Sequence, residues 1–248
     1  AGDDTIGRDT IARLLEVIAP HTRGIRTFTS LGSGLESARL ARKAGLVVAA
    51  GCNIESDAGA NEAQVEGLMD LCRAGYADLA VVGEETLYFG FADEAALLGY
   101  MRRLKTTGVK VTTSETWGEL IAHPAVIAEC DVLLANMFPY WEKVSVSKAV
   151  EYLDSCYRKL RNKSRGKKIV VESGWPTAGE TRGEAVAGPE NARAFLEEFR
   201  SWARANGVEY YYFEAFDEPW KARSEGAVGA HWGIWRSDGR LKPYLRGR

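Results

Sequence analysis

No surplus of positive charge marks this chain. Its 248 residues carry 32 Lys and Arg against 34 Asp and Glu, a formal charge of −2. A phosphate-binding surface usually shows as a basic excess, so nucleic acid is a poor partner. No run approaches the ~20 apolar residues that a membrane-crossing helix needs. The four cysteines (Cys52, Cys72, Cys130 and Cys156) never form a CxxC pair. They fall in stretches that read as strands and helices, so buried free thiols are the expected state. His21, His123 and His231 are far apart and make no HExxH-type pattern. With no glycine-rich nucleotide loop either, no metal and no cofactor is expected. The opening Ala1-Gly2-Asp3-Asp4 does not read as a signal peptide. What is present is ordinary for a globular protein: 46% apolar and 27% charged residues. The length suffices for a large core without disulfides, and it suits one α/β barrel domain spanning residues 1–248.

Helical and strand periodicities alternate along the chain. Residues 9–22 predict a helix capped by Asp9, with Ile11, Leu14, Leu15 and Ile18 on one face. A strand over 24–29 and a helix over 35–44 follow, then the uninterrupted apolar strand 46–50. Such runs suit a parallel sheet covered on both faces. Helices are predicted at about 60–74, from the Asp93 cap to Gly108, and in a short piece before Pro124. Two longer ones are predicted at about 145–161 and 189–205. Strands are predicted at 79–83, 109–113, 131–136, 168–172 and 209–213. Units of 20–40 residues alternating in this way imply parallel βαβ units.

Acids and aromatics gather after the ends of several different strands: Glu85, Glu115, Tyr140, Glu172, Trp175, Glu214 and Glu218. In a closed barrel these ends share one face, whereas an open sheet concentrates function near one switch point. The expected fold is therefore α/β, a (β/α)8 TIM-type barrel. Only seven strands can be counted, and the chain starts on a helix, so either the first strand is absent or residues 1–7 supply an irregular substitute. Residues 1–7, with Asp3-Asp4-Thr5-Ile6-Gly7, do not look like a barrel strand.

Carboxylates and aromatics with no metal set point to carbohydrate. Sugar C–H faces pack on aromatic rings and hydroxyls bond to polar side chains. Breaking a glycosidic bond takes two carboxyl groups in different protonation states. Glu85 and Glu172 end their own strands and can supply that pair. Around Glu172 the chain reads Val170-Val171-Glu172-Ser173-Gly174-Trp175-Pro176-Thr177, an acid at a strand end beside an indole. A solvated strand end with a packing Trp is the plainer alternative.

Five blocks in order resemble glycoside hydrolase family 17, the β-1,3-glucan-active (β/α)8 enzymes. They are Val82 to Leu87, Thr112 to Glu115, Asn136 to Trp141, Glu172 to Thr177, and Phe216 to Lys221. His21 to Arg26 and His231-Trp232-Gly233 look most like the bacterial branch, which includes glucanosyltransferase domains fused to membrane-bound glucan synthases. The resemblance makes Glu85 the acid/base and Glu172 the nucleophile of a retaining double displacement. The two carboxyl groups should then lie about 5–5.5 Å apart, with Glu172 raising the acid's pKa. It also implies substrate-binding roles for Phe28, Glu84, Tyr140, Trp175, Glu218 and Lys221, while Glu115 and Glu214 orient the pair by hydrogen bonds. A β-1,3-gluco-oligosaccharide or polysaccharide is the implied partner, and a periplasmic or extracellular location the implied setting.

One position departs from the family, which has Asn where this chain has Glu84. An ionised carboxylate there cannot donate to Glu172 and would repel it, so hydrolysis should be weaker than in a Glu84→Asn variant. Hydrolysis and glucanosyl transfer share every catalytic residue, and the bacterial resemblance favours transfer. The alternative from another class is a glucan-binding barrel module with little or no turnover.

Overall fold

The computed structural model describes residues 6–245. Its strands are β1 (Gly24–Arg26), β2 (Val47–Cys52), β3 (Leu79–Glu84), β4 (Lys110–Thr116), β5 (Leu133–Asn136), β6 (Ile169–Ser173) and β7 (Glu209–Tyr212). Its α-helices are α1 (Arg8–Ile18), α2 (Gly32–Lys43), α3 (Ala58–Arg73), α4 (Glu94–Lys105), α5 (Trp117–Ala122), α6 (Pro124–Glu129), α7 (Val146–Lys163), α8 (Pro189–Asn206) and α9 (Ala222–Glu225). Strand order follows chain order from β1 to β7. The pairs β1–β2, β2–β3, β3–β4 and β6–β7 are parallel. This is the sequential order of a (β/α) barrel and not the reversed order of a doubly wound sheet.

Seven strands among the described residues equal the number read from the sequence. The expectation for residues 1–5 lies outside the described residues, and Ile6 and Gly7 belong to neither helix nor strand. Local details differ from expectation. Gly7, not Asp9, is the N-cap of α1. Asp9 sits in the first turn, where its charge meets the positive end of the helix dipole. The strand expected over 24–29 stops at Arg26. Pro124 opens a helix of its own, in the position where its missing N–H goes unused.

The chain forms two compact units. The first takes residues up to Ala135 together with Asn162–Ile169. Its core sets the apolar runs of β2 and β3 against helix faces carrying Val65, Leu68 and Cys72 on α3, and Leu97, Met101 and Leu104 on α4. Asp57 and Asp93 cap these two helices by accepting from the Ala60 and Ala96 amides at 3.0 and 2.8 Å. Each such cap contributes about 1 kcal/mol. All four cysteines are buried and free. Burial pushes the Cys52 thiol up to about 12 and the Cys72 thiol up to about 11, which keeps both protonated and inert.

The second unit takes Asn136–Arg161 and the chain from Val170 onward. Here α8 buries Phe195, Phe199 and Trp202 at helical spacing. Phe199 stacks on Phe195 with centroids 5.6 Å apart and meets Tyr210 of β7 edge-on at 4.9 Å. Beyond β6 the backbone passes very close to β7. A Cβ placed on Gly174 would lie 1.8 Å from the Phe213 carbonyl oxygen. Among the described residues no helix is long and apolar enough to cross a membrane.

Only glycine fits at 174, because the atom it would meet is backbone and cannot rotate away. Gly174→Ala should therefore cost more than about 3 kcal/mol, at the high end for point substitutions. Urea denaturation checks this; an unchanged midpoint would show that the two segments part without cost.

Candidate active site

In the first unit the site residues are built on the irregular end of β3. The sheet register shifts between Val81 and Glu84, a type of irregularity that re-aims side chains beside active sites. Gly83 takes φ +82, and a Cβ there would lie 2.4 Å from the Thr86 hydroxyl oxygen. Glu85 itself takes φ +48. Left-handed backbone at a residue with a Cβ costs on the order of 1 kcal/mol, and such positions gather where function holds them. The surroundings fix it: the Glu85 amide donates to Ser114 O at 2.8 Å, and its carbonyl accepts from the Phe89 amide at 3.0 Å.

Glu115 completes this arrangement. It is fully buried on β4, and its carboxylate accepts from the Leu87 amide at 2.8 Å and, longer, the Tyr88 amide at 3.5 Å. Burial pushes its carboxyl up to about 8, the two amides pull it back down, and the Glu84 and Glu85 carboxylates add to the rise. These two hydrogen bonds go to the backbone that follows Glu85.

Glu84 is ion-paired with Arg26 at the end of β1. The arginine side chain is 3% exposed, and its guanidinium lies 4.3 Å from the centre of the Phe28 ring. The structure thus brings Glu84 and Phe28 together through a residue that the sequence reading left unassigned. The charge of Glu84 is matched within its own unit, which moderates the repulsion expected from a bare carboxylate. The rule that collected the acids passes over Arg26, because a strand expected over 24–29 puts it mid-strand and only the structure ends β1 there.

The second unit carries Glu172 on β6, buried, with its carbonyl accepting from the Met137 amide at 3.0 Å. Tyr140 and Trp175 are fully buried and meet edge to face at 5.7 Å. Their polar atoms are engaged: the tyrosine hydroxyl donates to Glu180 O and the indole N–H to Val186 O. Both residues fasten the loop after β6. Trp232 lies among Phe138, Tyr140, Trp141 and Phe213, with centroids 5.5–5.8 Å away. The sequence reading used Trp232 only as a family marker, and nothing in its periodicity singled it out as the hub of this cluster.

Lys221 is ion-paired to both Glu214 and Glu218, and its ammonium lies 4.4 Å from the centre of the Phe213 ring. Burial opposes the lysine's charge, but the Glu214 and Glu218 carboxylates outweigh it and hold its pKa above the ordinary value. Burial pushes the Glu214 carboxyl well up, only partly offset by Lys221, since one cation serves two acids. Glu214 therefore bonds to Lys221 in this unit. Glu214 Oε1 and the Trp232 indole nitrogen are buried with no hydrogen-bond partner among the described residues.

Comparison with known proteins agrees with this architecture. A model of the BtgE/BtgC glycoside hydrolase domain matches residues 4–233. A glucan 1,3-beta-glucosidase of Arthroderma benhamiae is 30% identical over 92% of this chain and 81% of its own length. The glucan endo-1,3-beta-glucosidase btgC of Emericella nidulans is 30% identical over 77% of this chain, and the match spans only 34% of that protein. Among solved structures, the glycoside hydrolase family 17 β-1,3-glucanosyltransferase of Rhizomucor miehei superposes with a TM-score of 0.88. It is 28% identical and covers 97% of this chain and 91% of its own. An active-site mutant of that enzyme holds laminaritriose. The chain belongs to the BtgE/BtgC glycoside hydrolase domain family, of the family 17 type that its five sequence blocks resemble.

Proposed function

We propose that this chain is the catalytic domain of a retaining β-1,3-glucan enzyme that transfers glucanosyl units and hydrolyses internal linkages. The carrying observation is Glu85, held with left-handed backbone at the shifted end of β3 by bonds on both sides. In the proposed reaction Glu172 attacks the anomeric carbon and forms a glycosyl-enzyme. Glu85 gives its proton to the departing oxygen, then takes one from the incoming sugar or water. Glu218 and Lys221 hold substrate hydroxyls. The unpartnered Glu214 Oε1 and Trp232 N–H are polar atoms free to bond a sugar hydroxyl. Tyr140 and Trp175 serve by packing, since both are fully buried. The bacterial-branch blocks favour transfer over hydrolysis and a periplasmic or extracellular setting.

A laminari-oligosaccharide time course read by mass tests the reading. Longer products are expected from transfer, shorter ones from hydrolysis, and the new linkage should keep the β configuration by NMR. Unchanged oligosaccharide, or inversion, sinks the proposal. Glu172→Gln and Glu85→Gln should each lower turnover roughly 10³-fold or more.

Glu84→Asn restores the family residue but removes the carboxylate that pairs with the buried Arg26 guanidinium. Removing one partner of a buried pair costs about 3 kcal/mol or more, so this variant should unfold at lower urea. Rates should be compared per folded molecule, where the variant is expected to hydrolyse faster. Equal stability of the two proteins would show that the pair contributes nothing.

Glu115 gives a pH signature. Its carboxyl ordinarily titrates at 4.5 and in the fold at about 8. Between these values the folded state holds one proton more than the unfolded state, so this residue's contribution to stability falls as pH rises from about 4.5 through about 8. Glu115→Gln should flatten that part of the stability–pH curve, measured by denaturant midpoints. An identical slope in the variant would remove Glu115 as the cause.

A further inference from the structure

Near its end the second unit brings a lysine back into its interior. Trp235 bridges in parallel to Phe216 and antiparallel to Leu241, and between Trp235 and Leu241 the chain turns back, with the Arg236 amide donating to Arg240 O at 2.9 Å. This hairpin delivers Lys242, which is 6% exposed. An ammonium has three donors and no acceptor. Here it donates to Thr177 Oγ1 at 2.7 Å, to Asp217 Oδ1 at 2.6 Å and to His231 O at 3.3 Å. Thr177 belongs to the loop after β6 and Asp217 to the segment after β7.

The three partners converge on one residue. His231 O also accepts from the Thr177 amide at 2.9 Å and the Thr177 hydroxyl at 3.0 Å, and Asp217 Oδ1 also accepts from the Gly233 amide at 3.0 Å. Trp232 stands between His231 and Gly233, so its backbone is held on both sides by groups that Lys242 bonds. Trp232 O in turn accepts from the Glu214 amide at 3.3 Å, and the Ile234 amide donates to Glu214 O at 3.0 Å. The same network therefore carries the two buried polar atoms without partners, Trp232 Nε1 and Glu214 Oε1. A buried ion pair such as Lys242–Asp217 contributes little net stability, because desolvation offsets the attraction. A satisfied buried network instead fixes a geometry. We infer that Lys242 is a positioning residue: through His231 and Asp217 it sets the place of the Trp232 indole N–H, the donor proposed to bond a sugar hydroxyl. This assignment rests on the reading of the chain as a β-1,3-glucan enzyme.

The test uses the full chain with Lys242→Met, and with Lys242→Met and Asp217→Asn combined, which removes both charges of the pair in case the single variant fails to fold. The first measurement needs no ligand: the assigned indole N–H signals by NMR. The Trp232 signal should shift or split while those of Trp117, Trp175 and Trp202 hold, a pattern that general loss of structure does not produce. The second is affinity for laminaritriose by calorimetry in a Glu172→Gln background, with and without Trp232→Phe. Loss of Lys242 should weaken binding about tenfold where Trp232 is present. Where phenylalanine has already removed the N–H, the loss should be under about twofold, because the two residues act as one unit. An unmoved Trp232 signal, or the same loss of affinity in both backgrounds, overturns the positioning role. If the Glu172→Gln protein binds no laminaritriose while the Trp232 signal still moves, the glucan reading fails and Lys242 keeps its role in placing the indole.

Discussion

Glu115 is buried, and it spends its carboxylate on two backbone amides. Those amides belong to the turn that leaves β3 through Glu85. Nearly every feature of the first unit's candidate site depends on that turn. The left-handed backbone at Glu85 persists because Ser114 O, the Phe89 amide and the Glu115 carboxylate together over-determine it. The exposed rings that follow, Tyr88, Phe89 and Phe91, keep their mutual geometry because their backbone is pinned by the same groups. A carboxyl raised toward neutrality by burial is the cost of this arrangement, and the nearby Glu84 and Glu85 add to it.

The two units manage buried acid in different ways. In the first, Glu84 pairs with Arg26, whose planar guanidinium also faces Phe28. In the second, Lys221 serves both Glu214 and Glu218, and Glu214 keeps one oxygen without a partner. A matched pair fixes a geometry, whereas an acid with a spare buried oxygen is poised to take a hydroxyl from outside. The acids read from the sequence as one group at strand ends are thus divided by environment into holders and potential ligands.

The fold was legible because its signals are local. Apolar runs, caps such as Asp57 and Asp93 and stops such as Gly108 recur along the chain, and they survive tertiary packing. Boundaries moved: β1 stops at Arg26, the residue that pairs with Glu84, and α6 begins at Pro124 because a proline at the first helical position forfeits no bond. The acids of the site were legible as types at strand ends. Their partners were less so, since Arg26 and Glu84 are 58 residues apart and nothing in the spacing joins them. The burial of Tyr140 and Trp175 was equally hidden, because an aromatic after a proline-containing turn reads the same whether it faces solvent or core.

The Glu84 substitution takes a different meaning from this. An asparagine at that position is neutral and can donate a hydrogen bond; a glutamate can only accept while ionised. Replacing one by the other beside the proposed acid would be a liability if the charge stood alone. Arg26, two strands away in the sheet order, pairs with that charge, so the glutamate does not stand alone. The pair Arg26–Glu84 thus sets a buried guanidinium against the anion that stands at the end of β3, directly before Glu85.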